Sequence, residues 1–408
     1  MIKYLLKSEI GKGSIILIIL TALANIFSYL FQFSMARLLG PADYSILAVI
    51  TATIAIFGIP GLSIQTVVAK NTAKLMAKKE ISKIKGLFLY VSKYSLLISL
   101  IGFFIFIFVS IFLSNSLKID FSIFLLAGFF IFVALLFPIG TGILQGTKSF
   151  GVMGSSVLIN TLLKFSVGVF LVLVGWGVYG ATIGFIVGMG IAFLFILPFI
   201  KKILISKGSE MKVEIFSRSN LIDFFAIIVI VLFYSIDVFF ARAFFAEAVA
   251  GQYAVASMIG KIVLFTTLSI GNVMLPINSE RKVKGNKKSV FKKALLLTGT
   301  VCALFLIVLL IFPKLVVSIL FGSQYVGIYP ILFYVGASFV CISLWYLITL
   351  NTISKDRFSL KKGCMLLIFL LLQMAIFSYF NKSVTQFSLG FLGISFISLV
   401  GGILMDLK

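Results

Sequence analysis

The stretch Ile15-Ile16-Leu17-Ile18-Ile19-Leu20-Thr21-Ala22-Leu23-Ala24-Asn25-Ile26-Phe27-Ser28-Tyr29-Leu30-Phe31-Gln32-Phe33-Ser34 contains 20 residues and no charge. As a helix it rises about 1.5 Å per residue, so it covers about 30 Å, the thickness of a bilayer's hydrocarbon core. It is too long for the core of a cleavable signal, and no small-residue cleavage site follows a short core. It is therefore expected to remain as a span. Similar windows recur to Met405 with only short gaps, leaving no room for a globular domain outside the membrane.

The composition agrees with this reading. Of the 408 residues, 61% are hydrophobic and 12% charged. A soluble chain carries about twice that charge fraction. Spans are predicted at about 14–36, 44–69, 87–113, 121–145, 152–174, 178–200, 219–241, 248–276, 290–313, 326–350, 361–380 and 385–405. The fold class is therefore an all-α membrane protein with about 12 transmembrane helices.

The formal charge of +23 does not imply nucleic acid as a partner. It fits basic loops that set topology and meet anionic membrane lipids. With the amino terminus placed in the cytoplasm, 28 of the 35 Lys and Arg fall in cytoplasmic segments and 5 in outer loops. This asymmetry predicts cytoplasmic amino and carboxyl termini; a plasma (inner) membrane location is expected as well. The segment Lys70–Lys85 has lysines spaced by four with apolar residues between them. It reads either as an amphipathic helix on the inner leaflet or as an ordinary basic connector.

Two lysines break the pattern. Lys164 and Lys261 lie well inside the fifth and eighth spans. A charge at the bilayer centre costs about 2.5–3.5 kcal/mol on insertion scales, which makes both functional candidates. Each either faces a water-filled cavity and attracts an anion, or snorkels or pairs with an acid and only stabilises packing. Asp237 ends the seventh span beside Tyr234 and Ser235, with Arg242 five residues on. It is a candidate ion-coupling site or a counter-ion. Arg37 and Arg242 end spans one and seven. They are either forked ligands for a diphosphate or interfacial anchors. Asn25, Gln32 and Gln65 place amides in the first two spans, for cavity lining or for interhelical hydrogen bonds. Gly184 and Gly188 form a small-xxx-small pair that permits close helix contact.

Several chemistries are excluded. No histidine is present. Cys302, Cys341 and Cys364 stand singly, without metal-ligand spacing, so neither a metal site nor a cofactor is expected. No phosphate-binding loop occurs. The outer loops, of about ten residues or fewer, are too short for a catalytic domain, so no catalytic residues are assigned and the chain is not expected to be an enzyme.

An internal repeat is visible. Ala36-Arg37-Leu38-Leu39-Gly40-Pro41-Ala42-Asp43-Tyr44-Ser45 follows span one. Ala241-Arg242, then Gly251-Gln252-Tyr253-Ala254-Val255-Ala256, follows span seven. Leu144-Gln145-Gly146-Thr147-Lys148-Ser149-Phe150 after span four has a weaker match in Leu350–Phe358 after span ten. The repeat predicts two six-helix halves around a central cavity, 1–205 and 206–408.

These same segments, with Gly142-Ile143 before Leu144 and the run from Phe312-Pro313 to Leu320-Phe321-Gly322-Ser323-Gln324-Tyr325, resemble the polysaccharide transporter family of lipid-linked oligosaccharide flippases. That family belongs to the multidrug/oligosaccharidyl-lipid/polysaccharide exporter (MOP) superfamily. The family pattern usually has Gly after the aspartate-tyrosine pair, where this chain has Ser45. The resemblance implies a flippase for an isoprenoid-diphosphate-linked glycan made on the cytoplasmic face, working by alternating access beside envelope glycan-assembly proteins. It also implies that the first, second, seventh and eighth helices line a cationic cavity to which Arg37, Arg242 and Lys261 contribute, whereas Lys164 lies on the fifth. Three other functions stand beside it. A multidrug exporter of the same fold would need cavity acids, and only Asp237 qualifies. An intramembrane glycan polymerase or ligase, and a non-transporting scaffold, are the others.

Overall fold

The computed structural model describes residues 9–205, 218–283, 290–354 and 359–407. Lys3, Lys7, Lys207, Lys212, Lys284, Lys287, Lys288, Lys355, Arg357 and Lys408, all read as cytoplasmic, lie outside them. Every regular element among the described residues is helical. In order these are α1 (Glu9–Ala77), α2 (Ile81–Leu117), α3 (Phe121–Gly128), α4 (Phe130–Gly146), α5 (Phe150–Leu171), a π-turn (Val172–Trp176) and α6 (Gly177–Ile205). Then follow α7 (Arg218–Phe244), α8 (Glu247–Val283), α9 (Val290–Ile311), α10 (Pro313–Leu320), a 3₁₀ turn (Ser323–Ile328), α11 (Tyr329–Ser354), α12 (Leu360–Tyr379) and α13 (Val384–Leu407).

The surface is that of a chain solvated by lipid. On α2 the buried residues include Ser95, Ser99 and Ser110. The exposed ones include Leu97, Ile101, Phe104, Ile105, Phe108 and Phe112. Their spacing of three and four makes one apolar stripe, which water would penalise and lipid would not.

Among the described residues, ten helical segments are long and apolar enough to cross a membrane. The twelve separate spans predicted from sequence are corrected to this extent: two of the expected loops are absent. Between spans one and two α1 runs on, broken only at Gly40 (φ 74°, ψ 174°). Glycine tolerates that left-handed backbone, and Pro41 has the fixed φ and missing N–H that suit a helix's first position. Between spans five and six the chain is kinked at Gly175 (φ 96°, ψ 10°) and Gly177 (φ 48°, ψ −135°), two non-helical residues that take the place of a loop.

One reading left open is settled, and one further expectation changes. The basic segment Lys70–Lys85 contains no separate interfacial helix. Instead α1 and α2 are joined through Lys78–Glu80, with Lys79 at positive φ and a half-exposed Lys83–Glu80 pair at 3.0 Å. The connector between α9 and α11, read as a short outer loop, folds as α10 and the 3₁₀ turn.

The chain forms two compact units. One takes Met1–Leu39 and Thr53–Ser217; the other takes Gly40–Ala52 and Arg218–Lys408. In the first unit, Val68, Leu87, Ile139, Ile143 and Ile196 from α1, α2, α4 and α6 share a core. Its α5 and α6 pack backbone to backbone. A Cβ on Gly184 would lie 2.8 Å from the Lys164 carbonyl, and one on Gly188 would lie 2.5 Å from the Asn160 carbonyl. The Gly184/Gly188 pair thus fixes the turn that carries Lys164. In the second unit, α11 packs against α8, α9 and α13. Phe339, Phe377, Phe387 and Phe391 form an aromatic core, and the Phe377 and Phe387 rings stack at 4.3 Å.

Candidate functional site

In the first unit Lys164 reaches from α5 to α1. Its Nζ donates to Ser28 Oγ at 3.1 Å and lies 5.2 Å from the ring centroids of both Phe31 and Phe185. Those rings meet edge to face at 5.1 Å. Phe31 is held by Gly168, where a Cβ would come within 2.8 Å of the ring. The ammonium therefore has one neutral hydrogen-bond partner and two aromatic faces, which attract cations through their quadrupoles. Among the described residues no carboxylate forms an ion pair with it.

In the second unit Lys261 is paired. Its Nζ lies 3.5 Å from Asp237 Oδ1 and 5.6 Å from the Phe339 ring centroid. Asp237 is fully buried. Its Oδ2 accepts from Ser257 Oγ at 2.5 Å and from Tyr253 OH at 3.4 Å. Tyr253, Ser257 and Lys261 are spaced by four, so α8 presents all three donors to α7 from one face. Oδ1 has no hydrogen bond; the lysine meets it as a charge contact alone.

Arg242 is buried. Its Nη1 donates to Ser45 Oγ at 2.9 Å, and its Nη2 to the exposed Glu247 at 2.8 Å. The Ser45 hydroxyl in turn donates a hydrogen bond to the Ala42 carbonyl. The serine that departs from the family pattern is therefore an acceptor for this guanidinium. The segment 40–52 is tied to the second unit at two more places. Tyr44 meets Tyr325 edge to face at 6.2 Å, and a Cβ on Gly251 would run into the Pro41 carbonyl.

Arg37, in the first unit, is exposed, unlike its counterpart Arg242. Asn25 is exposed and Gln32 buried. Gln65 bridges α1 to α4, its Nε2 donating to Gln145 Oε1 at 3.1 Å. Ser28, Phe31, Phe185, Ser257 and Glu247 were not singled out from sequence, and Tyr253 and Ser45 were named only for the repeat and the family resemblance. Two signals pointed toward some of them. Ser28 lies on the helix face shared by Asn25 and Gln32, and Ser257 and Tyr253 lie one and two turns before Lys261.

Known proteins fix the family. The model of the polysaccharide biosynthesis protein family matches residues 34–330, more than half of the chain. The chain belongs to that family. The resemblance carried by the segments around Arg37, Gln145 and Tyr253 is borne out at this level. Among curated proteins no sequence match is found. The fold is that of the MOP superfamily. An inward-facing multidrug resistance MATE family transporter of that superfamily superposes with a TM-score of 0.72 at 13% identity, covering 93% of each chain. An outward-facing one gives 0.64 at 16% identity, covering 99% of this chain and 96% of that one. A MOP superfamily transporter from Pyrococcus furiosus, whose binding pocket of reverse polarity suggests a different function, gives 0.62 at 15%, covering 98% and 96%. This family member is thus a multi-pass membrane protein.

Proposed function

We propose that the chain is a flippase that carries an isoprenoid-diphosphate-linked oligosaccharide from the cytoplasmic to the outer leaflet of the plasma membrane, for cell-surface polysaccharide synthesis. The observation that carries the choice of an anionic substrate is Lys164. It is a membrane-embedded ammonium whose described partners are a hydroxyl and two aromatic rings, with no described carboxylate to neutralise it. A phosphate oxygen would complete its surroundings and replace hydration that both groups lose. Family membership supports a glycan cargo, and the superfamily fold supports alternating access. Moving a negative charge outward, with the inside negative, releases about 2.3 kcal/mol per elementary charge per 100 mV.

The topology proposed has twelve crossings. α1 has 63 residues of span-type sequence, about 95 Å of helix, three times the hydrocarbon thickness. A break at Gly40 makes two crossings of it, and the Gly175/Gly177 bend does the same for the stretch from Phe150 to Ile205. Both termini then lie in the cytoplasm, with six crossings in each of the segments 1–205 and 206–408. Arg37, Arg242 and Lys261 complete the proposed substrate cations, Asn25, Gln32 and Gln65 the polar lining, and Asp237 the ion-coupling candidate.

The test uses the purified full chain in vesicles with a fluorescent isoprenoid-diphosphate oligosaccharide, scored by its accessibility to an outer-leaflet quencher. Wild type should move it between leaflets. Lys164→Met should slow movement about tenfold or more, as loss of a charge-assisted hydrogen bond predicts. Transport of a cationic dye, with none of the diphosphate lipid, would refute the proposal.

A further inference from the structure

The two buried lysines are not equivalent. Lys164 has no described acidic partner, whereas Lys261 is opposed by Asp237 at 3.5 Å. We propose that Asp237 is a built-in competitor of the substrate's phosphate for Lys261, and so sets how tightly the second unit holds an anion. This deepens the reading of the chain as a carrier of an anionic lipid and rests on it.

The geometry supports competition better than a fixed structural pair. A carboxylate meant to lock a lysine accepts a short, aligned hydrogen bond of about 2.7–2.9 Å. Here Oδ1 accepts no hydrogen bond, although the ammonium is its ion-pair neighbour. The carboxylate does not depend on the lysine for its position either. Oδ2 is anchored separately by Ser257 and Tyr253. Lys261 can therefore turn away while Asp237 stays in place. The exposures are also unequal: the aspartate side chain is 0% exposed and the lysine side chain 13%. An incoming anion can reach the ammonium but not the carboxylate.

The consequence follows from charge. In the empty protein Asp237 compensates the embedded ammonium, which is costly to leave alone. A phosphate must take Lys261 from Asp237, and the buried carboxylate then loses its counter-charge. The anion's affinity is lowered by that exchange. A carrier needs such a limit, because a substrate held by uncompensated cations would not be released. Asp237 acts through Lys261 and is a positioning residue, without touching substrate.

The test is anion binding by the full chain in nanodiscs of neutral phosphatidylcholine, with a fluorescent isoprenoid diphosphate as the probe and the isoprenoid alcohol as the reference. Asp237→Asn keeps an oxygen for Ser257 and Tyr253 and removes the charge. It should bind the diphosphate about tenfold more tightly than wild type. The gain should vanish when Lys261→Met is added, because the carboxylate works through the lysine. Equal or weaker binding by folded Asp237→Asn overturns the inference, as does a gain that persists without Lys261. If Asp237→Asn does not fold, Asp237→Ser enters the same comparison. If neither wild type nor any folded variant prefers the diphosphate to the alcohol, the anionic-substrate reading fails, and the inference falls with it. That outcome is distinct from a diphosphate that binds without regard to Asp237.

Discussion

Replacing Gly188 by alanine places a methyl group where α6 touches the backbone of α5, one turn from the Lys164 site. The new Cβ would stand 2.5 Å from the Asn160 carbonyl and 2.9 Å from the Lys164 amide nitrogen, whereas ordinary contact begins at 3.4 Å. Both neighbours are backbone atoms, so no side chain can rotate out of the way. The helices must part by 0.9 Å at this turn, from 2.5 to 3.4 Å. Phe185 is carried on α6, and such a shift takes its ring from 5.2 Å to about 6 Å from the Lys164 ammonium, the limit of useful cation–π attraction. Overpacking of this kind costs about 1–3 kcal/mol. Gly188→Ala should therefore lower the apparent melting temperature in detergent and slow diphosphate-lipid transport together. Gly299→Ala is the control. It lies in α9, where a Cβ meets nothing within 4 Å. Alanine there should be neutral or stabilising by up to about 1 kcal/mol. Scanning fluorimetry and the vesicle assay measure both variants. A Gly188→Ala protein as stable and active as wild type would show that glycine packing does not set the Lys164 site.

Ser45→Gly, which restores the residue usual in the family, removes an acceptor from a buried guanidinium. It should cost about 1.5–3 kcal/mol, seen as a lower midpoint in denaturant. Arg242→Lys should lose stability similarly, because one ammonium cannot serve Ser45 and Glu247 with the fork of a guanidinium. If Arg242→Lys is fully stable yet loses diphosphate binding, Arg242 is a substrate ligand and not a clamp. Gly251→Ala forces the Pro41 carbonyl away from α8, so the full-length protein should accumulate poorly in membranes. Normal accumulation would mean that 40–52 is held by Arg242 and Tyr325 without that close approach.

Composition and apolar run length determined the all-helical membrane class, because lipid allows little else to span it. They also located most helices to within a few residues; Leu360–Tyr379 against 361–380 and Val384–Leu407 against 385–405 are examples. The candidate charges were legible for the same reason. A lysine inside an apolar run is conspicuous at any position. What surrounds each charge was not legible, because it depends on contacts distant in sequence. Lys164 meets Ser28 across 136 positions, and Arg242 meets Ser45 across 197. No local period encodes such pairs. Sequence also could not say that a single glycine would replace a loop at Gly40, since a glycine-proline pair fits either a loop or a one-residue break. It marked Lys164 and Lys261 alike as embedded cations, without giving either its partner. Tertiary structure alone separated them, by bringing α7 and α8 together so that one ammonium meets a buried carboxylate while the other meets a hydroxyl and two aromatic rings.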